Sequence, residues 1–510
     1  MNNKKLGNGI LFHRNRKTKI VCTIGPASNK PQKIKELFGK GMDVARLNFS
    51  HGDYNFFETL IKDLRKVSPS ITVMIDLPGP KIRTVMKNNE EIVLKEGAKT
   101  YLRSGYGYEA ESNRAGRTGR NGEWDGVAGV IKEIIITDVD FSGVKISAGK
   151  AKNFFIYIDD GKIKLKILNY EPDKKTFLCK VIKGGIVRTE KGVNFHGIEP
   201  AVEFLTQKDY DAIDFGIKNK VDMFAVSFVR SVEDVLKARD YVKNKFNDDI
   251  FIVSKIEKAE AVQNLNSIIK ASDGVMVARG DLGIETDIEK IGLLQKEIIR
   301  ISVELRKPVI TATQMLESMM TMESPTRAEV TDVTNAILDG TDTVMLSEET
   351  AIGANPALAV DYMDSIIKTT EKSGEFLKKF YASKFSSKKD VSGAVAEMAV
   401  NASFLLGDSL IAAVTKTGST ARLLSSLRPV SPIIAIVDNY AALRKLGLNS
   451  GVTGAVMKNF WDFKYEDIAM FIKERSAALM KKKRFNYIIL CGGGSPGTTD
   501  FVRIFDAGAL

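Results

Sequence analysis

The chain has 510 residues, which is too many for one ordinary hydrophobic core, so we expect about two to four domains. Hydrophobic residues make up 44% of the sequence and charged residues 27%, a balance that excludes general disorder. The formal net charge of +12 favours anionic partners. Because the basic residues are not gathered with aromatic residues into a recognisable binding motif, we expect no nucleic-acid partner.

The N-terminal segment and the cysteines indicate where the protein works. Residues 1–17 form a polar, basic leader without an apolar run of signal-peptide length, and no stretch of the chain is apolar enough to predict a transmembrane helix. Cys22, Cys179 and Cys491 lie far apart without a CxxC spacing, so neither a disulfide framework nor a structural zinc site is expected. We predict a cytoplasmic protein without a membrane partner.

Short runs rich in β-branched residues, each ending in polar residues or glycine and followed by a helical pattern, predict buried parallel strands. They lie at 18–28, 43–52, 72–80, 222–229, 251–257, 274–283, 307–315 and 342–350. Eight such units favour an α/β fold, a TIM (β/α)8 barrel made of residues 18–83 and 187–370. An open doubly wound sheet is the alternative.

Two further segments have a different pattern. Residues 84–186 show short alternating strands with turn signals and predict an all-β domain inserted into the barrel as a lid. Within it, the Gly- and Arg-rich stretch 104–129 is interpreted as a solvated loop, with RNA contact as the alternative. Residues 371–510 predict a C-terminal α/β regulatory domain with strands at 409–415, 432–437 and 487–492.

Polar side chains stand at the ends of the predicted barrel strands. Side chains alternate along a strand, so residues two apart point the same way. The sets that share a face are Arg46, Asn48 and Ser50; Lys255 and Glu257; Arg279 and Asp281; and Thr311 and Thr313. Because burying such groups unpaired costs several kcal/mol per charge, we predict that they bind a metal or a substrate; a structural Lys255–Glu257 ion pair is the alternative.

The residue types at these strand ends suit one kind of chemistry. Two carboxylates, Glu257 and Asp281, match Mg²⁺, which prefers oxygen ligands and keeps several waters. Zinc is not expected, because the histidines show no metal-ligand spacing. Lys255, with Arg46 and Arg83, would neutralise a transferring phosphoryl group. The residues alone therefore predict a magnesium-dependent phosphoryl-transfer enzyme.

Several longer strings resemble the pyruvate kinase family and follow its order from about residue 18 to about residue 350. They are TKIVCTIGPAS, ARLNFSHG, GPKIRT, DDG, KGVN, SKIE, MVARGDLG, ATQMLESM, SPTRAEVTDV and MLSEETA. The remainder is similar to the family's C-terminal domain. The resemblance implies transfer of a phosphoryl group from phosphoenolpyruvate to ADP, giving pyruvate and ATP in glycolysis, with Mg²⁺ or Mn²⁺ as cofactor.

The resemblance also implies roles for single residues. Lys255 would contact the phosphoryl group in flight, Arg46 would face the same substrate, and Glu257 and Asp281 would ligate the metal. Thr313, with the backbone of Gly280 and Asp281, would hold the carboxylate of phosphoenolpyruvate. The implied nucleotide-binding residues are Asn48, His51, Arg83 and Lys191. Thr313 and Ser347 both remain candidates for the proton relay.

One departure from the family concerns its potassium site. Potassium-dependent members carry a glutamate where this chain has Lys81 and a Thr-Lys pair where it has Leu77 and Pro78. The implied cage consists of Asn48, Ser50, Asp76 and the carbonyl of Leu77. An ammonium group nearby supplies the same unit charge and repels a bound cation, so we predict activity without potassium. The alternative is that Lys81 points to solvent.

The resemblance extends to regulation and assembly. The loops TKTGST (415–420) and GGGSPGTT (492–499) fall where the family binds a sugar-phosphate effector, and Lys416, Thr417, Ser419 and Thr420 are the candidates. Plain strand-to-helix turns are the alternative. The family forms homotetramers, and a helix predicted to open at Ser324–Pro325 fits a subunit contact. Two other functional hypotheses are a barrel lyase acting on a related enol or keto acid and a non-catalytic, RNA-binding descendant.

Overall fold

The computed structural model describes residues 15–50, 52–86, 91–105, 130–137, 139, 141, 154–159, 161–172, 175–198, 202–381, 390–479, 485–494 and 497–510. His51 and nearly all of the Gly- and Arg-rich stretch 104–129 lie outside these residues, as does most of the predicted leader. The predictions made for them stay predictions.

Parallel strands close into a barrel in the order β1-β17-β16-β15-β14-β13-β3-β2. Every one of the eight predicted runs contains one of these strands, so the TIM-barrel prediction is confirmed and the open sheet is wrong. Their side chains are buried on both faces over most of each strand, as expected when helices cover the outside. The strands are β1 (Lys19–Thr23), β2 (Val44–Asn48), β3 (Thr72–Asp76), β13 (Met223–Val226), β14 (Ile252–Ile256), β15 (Gly274–Ala278), β16 (Val309–Ala312) and β17 (Thr343–Leu346).

Amphipathic helices surround the barrel and begin at recognisable caps. Thr206 and Thr326 each accept a hydrogen bond from the N3 backbone, and the N3 carboxylates of Asp209 and Glu329 bond back to the cap. The helix expected to open at Ser324–Pro325 therefore begins at Arg327, because Thr326 and Glu329 form the complete capping box. The α-helices are Pro31–Lys40, Tyr54–Val67, Gln207–Lys218, Val232–Phe246, Ala259–Gln263, Leu265–Ala271, Arg279–Glu285, Ile291–Glu304, Arg327–Asp339, Glu348–Ala351, Pro356–Glu371 and Gly374–Tyr381.

An all-β domain follows β3, as the alternating pattern predicted. Its described strands form one sheet in the order β12-β8-β9-β10-β6-β7-β4 and a smaller pair, β11-β5. The strands are β4 (Thr84–Val85), β5 (Ile92–Leu94), β6 (Lys99–Ser104), β7 (Val130–Ile136), β8 (Phe155–Ile158), β9 (Ile163–Glu171), β10 (Thr176–Lys183), β11 (Gly185–Val187) and β12 (Val193–His196). β12 lies past residue 186 and pairs with β8, so the chain returns to the barrel after this strand.

The C-terminal domain contains a sheet in the order β20-β19-β18-β21-β22, with the edge strand β22 antiparallel to β21. Strands β18 (Ser409–Val414), β19 (Ile433–Val437) and β21 (Tyr487–Gly492) match the three predicted runs. The sequence analysis missed β20 (Val452–Val456) and β22 (Phe501–Asp506), since the first contains a glycine and the second is largely exposed. Its α-helices are Val391–Leu406, Ser419–Ser426, Tyr440–Arg444 and Tyr465–Leu479.

The C-terminal domain closes the N-terminal end of the barrel. Leu448 is fully buried and belongs to the same apolar cluster as Val21, Met74 and Met223 in the barrel interior. The Thr343 hydroxyl donates to the Leu448 carbonyl at 2.9 Å. Reactive side chains are therefore expected at the opposite, carboxyl end of the strands. Within the part of the chain that the structure describes, no helix is long and apolar enough to span a bilayer.

Candidate active site

Lys255, on β14, lies among carboxylates at the carboxyl end of the barrel. Its Nζ is 3.1 Å from Asp76 Oδ1, 2.9 Å from Glu257 Oε1 and 2.8 Å from Ser227 Oγ. Burial opposes the charge on Lys255, but the carboxylates of Asp76 and Glu257 outweigh it, so its pKa lies well above the usual range. Lys255 is therefore a fixed positive charge.

Glu257 follows β14 and is almost completely buried. Its Oε2 accepts the Phe228 N–H at 2.7 Å. Its Oε1 lies 2.9 Å from Lys255 Nζ in an ion pair, and no other donor among the described residues reaches it. Burial, opposed by Lys255 and reinforced by the negative charge of Asp281, raises the pKa of Glu257. A carboxylate oxygen has two lone pairs, so one ion-pair partner leaves room for a further partner, such as a metal ion.

Asp76, at the end of β3, is held ionised by two cations. Arg46 Nε donates to its Oδ2 at 2.7 Å, and Arg46 Nη1 donates to the Thr23 hydroxyl at 2.9 Å. Burial alone would raise the pKa of Asp76, but Arg46 and Lys255 hold it below its usual value. The predicted convergence of Arg46 and Lys255 thus depends on Asp76, which orients both cations.

Asp281 lies in the first turn of the helix Arg279–Glu285 and contacts Lys81. Lys81 Nζ is 3.4 Å from Asp281 Oδ1, and 26% of the Lys81 side chain is exposed. A Cβ added at Gly192 would lie 2.8 Å from Lys81 Cε, so the lysine stem packs on the backbone just before β12. The Lys81 ammonium therefore lies against Asp281 instead of extending freely into solvent.

Thr313 directly follows β16 in an unusual backbone conformation. Its φ is 66°, and Gln314 follows with a φ of 53°. The left-handed region costs a non-glycine residue about 1–3 kcal/mol, most for a β-branched side chain. The Thr313 hydroxyl donates to the Ala312 carbonyl at 2.6 Å and accepts the Gly280 N–H at 2.9 Å. Thr313 and Gly280 are thus brought together.

Two of the predicted same-face sets are not brought together. β15 ends at Ala278, so Arg279 and Asp281 lie on a helix, where residues two apart do not share a face. β16 ends at Ala312, and the Thr311 hydroxyl donates to Thr341 at 3.0 Å instead of joining Thr313. Strand alternation failed here because both strands end earlier than the apolar runs indicated.

Two predicted nucleotide-binding residues lie where the inserted all-β domain joins the barrel. Lys191 Nζ is 2.9 Å from Asp159 Oδ1, and Arg83 Nη1 donates to the Glu190 carbonyl at 2.9 Å. Among the described residues, neither contacts Lys255, Asp76 or Glu257, and their partners Asp159 and Glu190 lie in or next to the inserted all-β domain. They therefore form a second cluster, at the junction of the two domains.

The implied cation cage is only partly assembled by direct contacts. Asn48 Oδ1 accepts the Ser50 N–H at 3.2 Å, which links two of its members. The Leu77 carbonyl accepts the Ser227 hydroxyl at 2.7 Å. Ser347 follows β17, and its N–H donates to Glu349 Oε2 at 2.7 Å. These residues all lie at the carboxyl ends of barrel strands.

Sequence reasoning missed the residues between β13 and β14. Ser227 binds Lys255, and Phe228 donates its N–H to Glu257 from a backbone with a φ of 56°. Phe228 also packs on Gly79, where a Cβ would come within 2.7 Å of its ring, so Gly79 permits this approach. The polar Ser227 in a fully apolar run was the signal available in the sequence.

The two predicted effector loops lie side by side. The Thr420 and Thr499 hydroxyls are 2.8 Å apart, which joins the loop after β18 to the loop after β21. The Thr417 hydroxyl donates to Ser419 Oγ at 3.3 Å, and Gly418, with a φ of 84°, donates its N–H to the Thr415 hydroxyl at 3.0 Å. Lys416 lies on the same loop and is exposed.

The donor set suits a hard divalent cation. The described residues contain no group of three or more His, Cys, Asp or Glu side chains arranged to hold a metal. Glu257 and Asp281 instead offer two carboxylates at the carboxyl end of the barrel, as in sites that leave room for water and substrate oxygens. Glu257 Oε1, whose one polar partner among the described residues is Lys255, fits such an ion.

Comparisons with known proteins agree with this site. The family model for the pyruvate kinase barrel domain matches residues 15–119 and 125–360, and the model for the pyruvate kinase alpha/beta domain matches residues 393–505. The chain belongs to the pyruvate kinase family. As a pyruvate kinase, it is a phosphotransferase that converts phosphoenolpyruvate and ADP to pyruvate and ATP in glycolysis. Family membership therefore favours the kinase over the barrel lyase.

Individual pyruvate kinases are similar over nearly the whole chain. One from Bacillus licheniformis is 37% identical over 501 residues, covering 97% of this chain and 81% of its own. One from Thermococcus litoralis is 37% identical over 500 residues, covering 96% and 98%. The crystal structure of a pyruvate kinase from Cryptosporidium parvum superposes with a TM-score of 0.83 at 32% identity, covering 97% and 96%. The family generally uses a divalent metal.

Proposed function

We propose that this pyruvate kinase works with Mg²⁺, or Mn²⁺ in its place, held by Glu257 and Asp281, and with Lys255 as the cation at the transferring phosphoryl group. The observation that carries the proposal is the buried Oε1 of Glu257, whose one polar partner among the described residues is the Lys255 ammonium at 2.9 Å. When bound there, the metal would supply positive charge to the phosphate and enolate oxygens.

Lys255 and Arg46 would stabilise the charge that develops during transfer. Both are held by Asp76, with distances of 3.1 Å from Lys255 Nζ and 2.7 Å from Arg46 Nε. Their positions are therefore fixed before substrate arrives, so little reorganisation is needed in the transition state. The pKa of Lys255 lies above its usual range, so this residue binds oxygen as a cation and does not act as a general base.

Thr313 and the N–H groups of Gly280 and Asp281 would bind the carboxylate of phosphoenolpyruvate. The Thr313 hydroxyl accepts the Gly280 N–H at 2.9 Å, so both groups are already close. The substrate carboxylate would accept a hydrogen bond from the Gly280 N–H in place of the Thr313 hydroxyl oxygen. It would accept a second hydrogen bond from the Thr313 hydroxyl. Protonation of the enolate needs a donor on one face, and Thr313 and Ser347 remain the two candidates.

The nucleotide phosphates would bind Arg83 and Lys191 at the lid hinge, with Asn48 and His51 from the barrel side. Arg83 and Lys191 engage Glu190 and Asp159 in the structure. An anionic nucleotide would exchange these partners for phosphate oxygens, which links nucleotide binding to lid closure and the exclusion of water.

Lys81 would replace the monovalent cation. Its ammonium lies 3.4 Å from Asp281 Oδ1, so it places one positive charge beside a proposed metal ligand. A potassium ion near this ammonium would be repelled. We therefore propose activity that does not require potassium.

The remaining proposals concern regulation and setting. Lys416, Thr417, Ser419 and Thr420 would bind a phosphorylated effector such as a sugar phosphate, with backbone N–H groups of the loop contributing. The active form would be a cytoplasmic homotetramer. Effector titration and light scattering on the purified protein would test these two points.

One assay tests the central proposal. Pyruvate formation from phosphoenolpyruvate and ADP should require Mg²⁺ or Mn²⁺ and should proceed at similar rates in potassium, sodium and choline salts. Full activity after removal of divalent ions by a chelator would refute the metal proposal. A collapse of the rate in choline that potassium restores would refute the role of Lys81 and leave the metal proposal intact.

A further inference from the structure

Arg279 ties the turn after β16 to the helix that carries Asp281. It is the first residue of the helix Arg279–Glu285, and 11% of its side chain is exposed. Its Nη2 donates to the Thr313 carbonyl at 2.7 Å, and its Nε donates to the Ala312 carbonyl at 3.2 Å. One guanidinium group therefore binds the two carbonyls at the start of the strained turn.

The turn needs such a support. Thr313 and Gln314 have φ values of 66° and 53°, a conformation that L-residues adopt only when the surrounding structure enforces it. A β-branched threonine is especially unfavourable there. The carbonyls of residues leaving a strand also lose their ladder partners and need new donors. Arg279 donates to both carbonyls, and the Thr313 hydroxyl also donates to that of Ala312.

Asp332 orients the guanidinium from the other side. Arg279 Nη1 is 2.9 Å from Asp332 Oδ1 and 2.7 Å from Oδ2, and it also donates to Gln295 Oε1 at 3.3 Å. Asp332 is on the helix Arg327–Asp339, one of the helices that surround the barrel. The planar fork of an arginine can make all these bonds at once, whereas a lysine cannot reproduce the geometry.

We propose that Arg279, oriented by Asp332, is a positioning residue that holds Thr313 in its left-handed conformation and so sets the geometry for binding the carboxylate of phosphoenolpyruvate. The inference rests on the proposed role of Thr313. It adds a residue that does not touch substrate but decides where the Thr313 hydroxyl and the Gly280 N–H lie. The nucleotide cluster at Arg83 and Lys191 does not depend on this turn.

The test compares KM values for the two substrates in the full-length protein. Arg279→Ala should raise the KM for phosphoenolpyruvate by about 10–100-fold, because small displacements of a binding group have effects of this order. The KM for ADP should change by less than about twofold, since the proposed nucleotide residues Arg83 and Lys191 have their described side-chain partners away from the turn. Arg279→Lys should fall between wild type and Arg279→Ala. Millimolar guanidinium should partly restore Arg279→Ala.

The matched control is Arg300→Met, which removes an exposed arginine paired with Glu304 in the neighbouring helix. It should leave both KM values unchanged. Equal changes in the two KM values of Arg279→Ala, or an unchanged KM for phosphoenolpyruvate, would overturn the inference. A simple loss of packing would not produce the substrate split or the rescue by guanidinium.

Two more variants keep the outcome decisive. If Arg279→Ala does not fold, the test uses Asp332→Ala, which leaves Arg279 in place without its orienting carboxylate. This variant must show the same selective rise in KM for phosphoenolpyruvate. If the rise is absent, the inference is overturned. Thr313→Ala separates the two proposals. If Thr313→Ala leaves that KM unchanged, the proposed role of Thr313 fails; if it raises the KM while Arg279→Ala does not, only the positioning role fails.

Discussion

The two ends of the barrel contain the same kinds of charged residues but use them differently. At the N-terminal end, both oxygens of Asp222 are occupied, by Arg444 Nε at 2.7 Å on one side and by Arg65 Nη2 at 2.7 Å on the other. At the carboxyl end, Glu257 is equally buried, but its Oε1 has one ion-pair contact, with Lys255 Nζ at 2.9 Å, and no further donor within the described part of the chain.

The difference lies in what covers each end. The C-terminal domain closes the N-terminal end, where Leu448 fills the barrel axis and Arg428 Nη1 binds Asp342 Oδ1 at 2.8 Å. In the described part of the chain, the charged and polar contacts of Lys255, Asp76 and Glu257 come from barrel segments. Fully paired buried charges hold a fixed interface, whereas a carboxylate oxygen with a single ion-pair partner keeps a lone pair available to a ligand.

The largest expected effect is on catalysis at the carboxyl end. Glu257→Gln keeps the shape of the side chain but removes the charge, so kcat should fall by about 10³–10⁴-fold. Affinity for Mn²⁺, measured by calorimetry, should fall in parallel, while the thermal unfolding temperature stays near that of wild type. Glu304→Gln, at an exposed pair, is the control. If Glu257→Gln kept its affinity for Mn²⁺, Glu257 would not be a metal ligand, and the proposed difference between the two barrel ends would be wrong.

The next effect is on stability at the N-terminal end. Asp222→Ala leaves Arg65 and Arg444 without their buried carboxylate and should lower the free energy of unfolding by about 3–5 kcal/mol. KM for both substrates should stay within about twofold of wild type. Urea unfolding and steady-state kinetics measure the two quantities, with the exposed Asp240→Ala as control. A large rise in KM without a loss of stability would show that this end also serves the active site.

A smaller effect is expected for Lys81→Glu. This change replaces the positive charge near Asp281 by a negative one, which would attract a monovalent cation instead of repelling it. Activity in choline salts should fall by about 10–100-fold, which corresponds to a loss of about 1.4–2.8 kcal/mol of transition-state stabilisation. Potassium should restore most of the activity, because it returns the missing positive charge. Lys81→Met is the matched variant, for which potassium should restore less. If Lys81→Glu had equal rates in choline and potassium salts, Lys81 would not be taking the place of a monovalent cation in the wild type.

The smallest effect concerns pH at the N-terminal end. Burial lowers the pKa of Lys17 to about 8. The negative charge of Glu371 opposes this shift, and the positive charge of Arg428 adds to it. Between about pH 8 and the usual lysine pKa near 10.4, the folded protein binds fewer protons at this site than the unfolded chain, so stability should rise with pH by about 1–3 kcal/mol. Unfolding free energies measured across this range should show the rise.

Lys17→Met should lose this slope, whereas Lys66→Met, which removes an exposed lysine, should keep it. A slope of opposite sign in the wild type, or the same slope in Lys17→Met, would contradict the assignment to Lys17.

Local patterns in the sequence determined much of the fold and part of the site. The apolar runs located every barrel strand, because strands covered on both faces must be continuously apolar. Strand alternation correctly paired Lys255 with Glu257, whose charged groups lie 2.9 Å apart, since both residues belong to one extended segment. The family motifs supplied the reaction.

Contacts between distant segments were decided only by the tertiary structure. Strand alternation could not place Arg279, because β15 ends at Ala278 and the chain turns into a helix. Nor could it show that Lys81 contacts Asp281, or that Arg279 binds the Thr313 carbonyl. The sequence names the residues that can carry the charge, but which oxygens are paired and which stay available depends on where segments separated by many residues meet.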